Sequence, residues 1–311
     1  MDVSLPKRNT IIFSVVGIIL FYVIFSIFSD IDKISDHFQN FNFLFLPLIL
    51  SIQFLALFIR STRQKLFLSS LGVDLSFSRN FIVYLIGMSL IFTPGGTGSV
   101  IKSFYLKKNF QTSHSKIVPV VASERYYDLF GITILIILSI LFIYNVGSII
   151  IASITSILLV SIFIIIKNKK FLKIIENKFS KINFLKKFIP GDEFHETIEK
   201  LSKPNLMIKG ISLTILSWIV DAIAVFFVFQ GFLQNLDLFQ TLQIYYTSLA
   251  YGAISLLPGG IGITEGSLLG MLLLNNIEIS IAASIVIMIR LTTIWFATVC
   301  GLTMLRFIFK N

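Results

Sequence analysis

Two arginines in apolar surroundings, each preceded by a glycine-rich break, carry most of the chemistry in this sequence. Glu124, Arg125 and Asp128 lie together in "VVASERYYDLF", and Arg290 lies in "IMIRLTTIW". A guanidinium is planar and donates two hydrogen bonds at once, which suits a phosphate better than a lysine ammonium does. Upstream of each arginine stands a Pro-Gly-Gly: "FTPGGTGSVIKSF" at 92–104 and "LLPGGIGITEGSL" at 256–268. Arg125 follows Pro94 by 31 residues and Arg290 follows Pro258 by 32, so break and arginine recur as a unit.

Proline removes a backbone donor and interrupts the helix before it, while glycine accepts positive φ. In hydrocarbon such a break is tolerated only where protein buries it or a polar cavity solvates it. A new helix is expected to start after each break, near Ser99 and near Thr264. The free N–H groups and positive dipole end of each new helix form an anion site. The candidate substrate-binding residues around the first break are Gly95, Gly96, Gly98, Ser99, Lys102, Glu124, Arg125 and Asp128. Around the second they are Gly259, Gly260, Gly262, Thr264, Glu265 and Arg290. Lys102 is expected at the cytoplasmic mouth of the same cavity.

A structural reading stands beside this one. Glycines can line a helix–helix contact, Arg125 and Asp128 at i,i+3 can neutralise each other, and Glu265 can do the same for Arg290. Asp221, mid-span in "LSWIVDAIAVFF", is a weaker candidate for carrying a proton or capping a partner helix.

The elements that must position these residues are membrane helices. The chain is 55% hydrophobic and only 14% charged, with mean hydropathy +0.88, whereas a soluble domain is about 25% charged. Apolar runs near the roughly 20 residues needed to cross a bilayer recur along it. The expected fold class is an all-α membrane protein with about six full transmembrane helices, at about 10–28, 41–59, 117–144, 149–166, 207–230 and 279–308. Two re-entrant or broken-helix hairpins, at 80–106 and 239–275, complete it.

The single cysteine, Cys300, excludes a disulfide within the chain. Net charge is +10, but the positions of the lysines and arginines matter more than their sum. With the N-terminus inside, Lys33 alone falls on an outer loop, Arg125 and Arg290 fall within spans, and the other 23 of 26 basic residues are cytoplasmic. The expected location is therefore the cell membrane, multi-pass, with both termini cytoplasmic.

The first hairpin then starts and ends inside, and the second starts and ends outside. Each half reads span, span, hairpin, span in opposite orientation, an inverted repeat of about 1–144 and 149–308 as in many secondary transporters. The organisation is a first membrane half at 1–166, a basic cytoplasmic loop at 167–206 and a second half at 207–311. In the loop, Phe171, Ile175, Phe179, Ile182 and Leu185 recur at helical spacing among lysines, which fits an amphipathic helix on an anionic leaflet or a plain positive-inside linker.

Several function classes are excluded. GxxxxGK[ST], GxSxG and HExxH are all absent, and His37, His114 and His195 are expected in loops with no second histidine near. No cofactor and no nucleic-acid partner is expected. An alternative is a metal-dependent lipid glycosyltransferase, with Asp30, Asp32 and Asp36 on the first outer loop holding a divalent cation. Another is a non-transporting scaffold whose 167–206 loop docks a cytoplasmic lipid or glycan synthase.

The ordered set "TPGGTGSVIKSFYLKKNF…VVASERYYDL" and "SLLPGGIGITEGSLLGMLL…IMIRLTTIW" resembles the lysylphosphatidylglycerol synthase transmembrane family, a flippase-like module, over nearly the whole chain. The resemblance implies lipid movement across the bilayer, with Lys102, Glu124, Arg125, Asp128, Glu265 and Arg290 at the family's recurrent polar positions. Where that family often has an acidic residue after the first Pro-Gly-x-x-Gly, this chain has Ser99. No soluble aminoacyltransferase or glycosyltransferase domain is present, so the expectation is a flippase or scramblase and not a lysyl-lipid synthase. The expected substrate is an anionic lipid: a polyprenyl-phosphate, its sugar conjugate or a phospholipid.

Overall fold

The computed structural model describes residues 31–92, 99–168 and 192–309. The first expected span, Asp30, Gly95, Gly96, Gly98 and the amphipathic stretch 171–185 lie outside the described residues. Within them the secondary structure is entirely helical.

The helix α1 (Ile31–Gln39) precedes α2 (Phe45–Ser70), then the short pair α3 (Phe77–Met88) and α4 (Ile101–Phe110). Next come α5 (His114–Ile140), α6 (Val146–Lys167) and the short α7 (Asp192–Leu201). The second part opens with α8 (Pro204–Gly231), followed by α9 (Leu238–Ile254), a 3₁₀ turn at Pro258–Gly260 and α10 (Ile263–Leu274). It closes with α11 (Ile279–Arg290), a π turn at Leu291–Trp295 and α12 (Phe296–Phe309).

Local signals set these boundaries. Asn145 accepts the Ser148 amide to start α6, Asp237 and Gln240 form a capping box for α9, and Pro204 opens α8, where its missing N–H costs nothing.

Four segments are long and apolar enough to cross a membrane: α2, α6, α8 and Ile279–Arg306. The helix α5 has 27 residues, about 40 Å at ~1.5 Å per residue, which exceeds a hydrocarbon core of ~30 Å. Its charges set it apart from the other four. On α6, Ile150, Ile154, Ile157, Val160 and Ile164 form one exposed stripe, a surface that hydrocarbon solvates and water does not. The hairpin helices are shorter. With 12 and 10 residues, α3 and α4 are each about half a crossing, and the 17 residues of α9 reach only about 26 Å.

Two expectations change. The span expected at 41–59 continues through Ser70, so Arg60 and Arg63 lie inside a helix and not in a cytoplasmic loop. The acidic outer segment is a helix, not a loop: Ile34 of α1 is buried, α1 packs on α11, and Asp32 and Asp36 face outward. Among the described residues no three His, Cys, Asp or Glu side chains gather as a metal site.

The packing exchanges partners between the two parts. The helices α2 and α8 lie against each other along their length, α3 packs on α12, and α9 packs on α5. The first helix of each hairpin therefore leans on a long helix of the other part. Gly301 of α12 makes the α3 contact possible, because a Cβ there would lie 2.4 Å from both the Leu85 carbonyl oxygen and the Ser89 nitrogen.

The apolar interior is divided. On α2, Ile49 and Ile52 belong to the largest core and Phe67 and Leu68 to a second one. On α5 the change falls between Tyr127 and Ile132, and on α8 between Ile211 and Trp218. Between the two cores these helices carry Arg60, Arg63, Gln64, Asp128 and Thr214, a polar layer sealed on both sides by hydrocarbon side chains.

Candidate functional site

The polar layer begins with one face of α2. Arg60, Arg63 and Gln64 stand at i, i+3 and i+4, the spacing that stacks side chains on one side of a helix. Arg63, 1% exposed, donates from Nη1 to Thr214 Oγ1 at 2.7 Å and pairs through Nη2 with Asp128 Oδ1 at 2.9 Å. Arg60 pairs with Asp221 Oδ2 at 3.4 Å and lies 4.0 Å over the Trp218 ring. The Tyr245 hydroxyl donates to the same Asp221 oxygen at 3.1 Å. Asp221 is thus an interhelical partner of Arg60.

A second chain of contacts runs through Gln64. Lys102 donates to Gln64 Oε1 at 2.8 Å and pairs with Glu124 Oε2 at 2.5 Å. Gln64 donates to Asn80 Oδ1 at 3.0 Å, and Asn80 donates to the Ser61 carbonyl at 2.7 Å. Lys102 is 2% exposed, so it lies within this layer and not at a cytoplasmic mouth. Such burial is tolerable because a carboxylate and an amide together meet the ammonium.

Arg125 closes the arrangement at the first break. Its Nη2 donates to Ser99 Oγ at 2.8 Å, and its Nη1 reaches Asp128 Oδ2 at 3.4 Å. The expected helix start is close to the observed one, since α4 begins at Ile101 after a single 3₁₀ turn at 99–100. Ser99 is buried, but the Arg125 side chain is 30% exposed. Arg125 Nε, Arg63 Nε and Glu124 Oε1 are buried and make no hydrogen bond among the described residues, and buried polar atoms ordinarily have partners.

The second break is built differently. Gly259, Gly260 and Gly262 all have positive φ, at 62°, 67° and 87°. The helix α10 starts at Ile263, one residue before the expected Thr264. Its N-terminus is occupied by its own side chain: Glu265 Oε2 accepts the Gly262 amide at 2.7 Å. Glu265 Oε1 accepts from Arg290 Nε at 2.8 Å, and Arg290 Nη2 donates to the Gly259 carbonyl at 2.6 Å. Glu265 is 0% exposed and Arg290 3%. Gly260 and Gly252 enclose the buried Thr264, whose Oγ1 would lie 1.9 Å from a Cβ on Gly252. The π turn starts directly after Arg290, and Thr293 in it bonds back to the Ile289 carbonyl at 2.6 Å. Such π turns are frequent at functional sites.

The expected residues therefore form two groups. Ser99, Lys102, Glu124, Arg125 and Asp128 meet in the polar layer; Gly259, Gly260, Gly262, Thr264, Glu265 and Arg290 form a closed unit. Arg60, Arg63, Gln64 and Asn80 were missed. Their signal was present: the apolar pattern runs through the arginines to Leu68, with the polar residues at helical spacing.

A family model described as the lysylphosphatidylglycerol synthase TM region matches residues 11–301. A UPF0104 membrane protein of Pyrococcus horikoshii is 26% identical over 83% of this chain and 85% of its own length. One of Methanothermobacter thermautotrophicus is 20% identical over 95% and 94%. One of Methanocaldococcus jannaschii is 29% identical over 70% and 93%.

Proposed function

This chain belongs to the family of the lysylphosphatidylglycerol synthase TM region, and on that premise we propose that it moves an anionic lipid across the membrane as a flippase or scramblase. The observation that carries the reading is Arg125. It is the most exposed cation of the polar layer, it sits against Ser99 where a helix begins after the first Pro-Gly-Gly, and among the described residues its carboxylate, Asp128, is shared with Arg63. A phosphate placed there would meet the guanidinium fork and the first amides of that helix while the acyl or prenyl tails stay in lipid.

The cross-packing of α3 on α12 and α9 on α5 suits an inverted repeat. The two parts would rock about the long α2–α8 contact, with Arg63–Thr214 and Arg60–Asp221 as ties close to the pivot. The second break, with its internal Arg290–Glu265 pair, holds its hairpin rigid and is not the headgroup site. The location is the cell membrane with both termini cytoplasmic, and the basic segment 167–206 lies on the leaflet surface or against a synthase partner.

The test is reconstitution of the full chain in proteoliposomes with acyl-labelled phosphatidylglycerol, a labelled polyprenyl-phosphosugar and labelled phosphatidylcholine. Faster movement of one anionic probe than of the zwitterionic one supports the reading. Equal movement of all three, or of none above protein-free vesicles, contradicts it.

A further inference from the structure

The ion pairs of the polar layer bear on which anion the site takes, an inference that rests on the lipid-moving reading above. Lys102 has Glu124, Arg63 has Asp128 and Arg60 has Asp221. Outside the layer, Arg290 has Glu265. Arg125 has only a share of Asp128, at 3.4 Å against 2.9 Å for Arg63. Lys65, at the end of α2, donates to the Leu75 carbonyl beyond that helix and takes no part. Residues 93–98, Thr-Pro-Gly-Gly-Thr-Gly, contain no ionisable side chain, so they leave the balance unchanged.

Among the described residues four cations thus face three carboxylates, a surplus of one positive charge in the layer. The surplus falls on the most accessible member: the Arg125 side chain is 30% exposed, against 13% for Arg60, 3% for Lys102 and 1% for Arg63. A net charge in a low-dielectric interior is costly, and one negative charge cancels it. A second negative charge would stand unbalanced beside Glu124 and Asp128. Among the described residues the buried Nε donors of Arg125, Arg63 and Arg60 have no acceptor, while the buried Glu124 Oε1 and Asp128 Oδ1 accept no hydrogen bond, so the layer holds more unmet donors than unmet acceptors.

We infer that the site selects headgroups bearing a single negative charge, a phosphodiester in preference to a phosphomonoester dianion. Among the lipids proposed above this favours a phosphosugar conjugate or a diester phospholipid over a bare polyprenyl-phosphate.

The experiment uses the wild-type chain in proteoliposomes with two short-chain acyl-labelled probes, phosphatidylglycerol and phosphatidic acid. Movement is read by albumin back-extraction at pH 8 and pH 5, with protein-free rates subtracted. The phosphomonoester loses its second charge near a pKa of about 6, whereas the diester does not titrate in this range. The expected result is phosphatidylglycerol moving at both pH values, and phosphatidic acid moving about tenfold slower at pH 8 but approaching it at pH 5.

Equal or faster movement of phosphatidic acid at pH 8 overturns the charge selection and leaves lipid movement standing. Slow phosphatidic acid at both pH values also overturns it, because exclusion is then not by charge. If neither probe moves at either pH, the underlying reading fails too. As a second arm, Asp221→Asn leaves a further surplus charge on Arg60. A folded variant should shift the pH 8 preference toward phosphatidic acid, and an unchanged preference counts against the inference. If that variant does not fold, the wild-type pH comparison decides alone.

Discussion

Arg125 and Arg290 follow their Pro-Gly-Gly breaks at nearly the same distance in sequence, yet the fold uses them in opposite ways. Arg290 is buried, held by Glu265 and the Gly259 carbonyl, and Glu265 in turn caps the helix that follows the break. Arg125 is part-exposed, leans on Ser99 and shares its carboxylate with Arg63. A repeated motif therefore need not mean a repeated role. In the second copy the carboxylate of Glu265 occupies the helix N-terminus, the place an anion would take. The other copy keeps a cation in reserve.

The comparison breaks first at Arg290. Arg290→Ala leaves Glu265 buried beside a helix end without its counter-ion, and loss of one partner of a buried pair costs about 3–5 kcal/mol. A large drop in the melting point of the detergent-solubilised protein is expected. A melting point within a degree of wild type would show that the closed unit does not hold the hairpin.

The glycines one to two turns before each break give a smaller contrast. A Cβ on Gly252 would lie 1.9 Å from Thr264 Oγ1, whereas one on Gly87 would meet nothing closer than Lys102 Cδ at 3.4 Å. Gly252→Ala should destabilise by about 1–3 kcal/mol, with partial recovery in the Gly252→Ala, Thr264→Ala double variant. Gly87→Ala should change stability by less than about 1 kcal/mol. Chemical or thermal denaturation of the three variants side by side checks both statements, and equal losses at the two glycines would remove the contrast.

A smaller effect than that at Gly252 is expected at Ser99. Ser99→Ala removes one hydrogen bond to Arg125, worth about 0.5–1.5 kcal/mol. Lipid movement should fall a few-fold, and an unchanged rate would place the headgroup elsewhere.

Much of this was legible in the sequence, and the failures share one cause. Hydropathy and the paired breaks located the hairpins, the helix starts near Ser99 and Thr264, and the Glu265–Arg290 pairing as an open possibility. The span ending at residue 59 was wrong because Arg60 reads as a membrane boundary when seen alone. Its burial depends on Asp221 and Trp218, and that of Arg63 on Asp128 and Thr214, all far along the chain. A buried charge is decided by its partner, and one sequence does not say which distant residue that partner is. The same limit applies to Lys102, assigned to a cavity mouth until Glu124 and Gln64 are seen around it. The acidic segment 30–36 looked like a loop because its apolar face, Ile34 and Phe38, is too short for periodicity to stand out.

The central claim is that Arg125 meets the lipid headgroup, and the most direct measurement is the rate of phosphatidylglycerol movement in proteoliposomes for wild type and Arg125→Gln, each with its melting curve. Because Arg125 is part-exposed and makes one hydrogen bond, to Ser99, and a shared ion pair, its loss should change stability by about 0.5–1.5 kcal/mol. Movement should fall about tenfold or more. A variant that melts as wild type does and still moves the lipid at the wild-type rate would contradict the account.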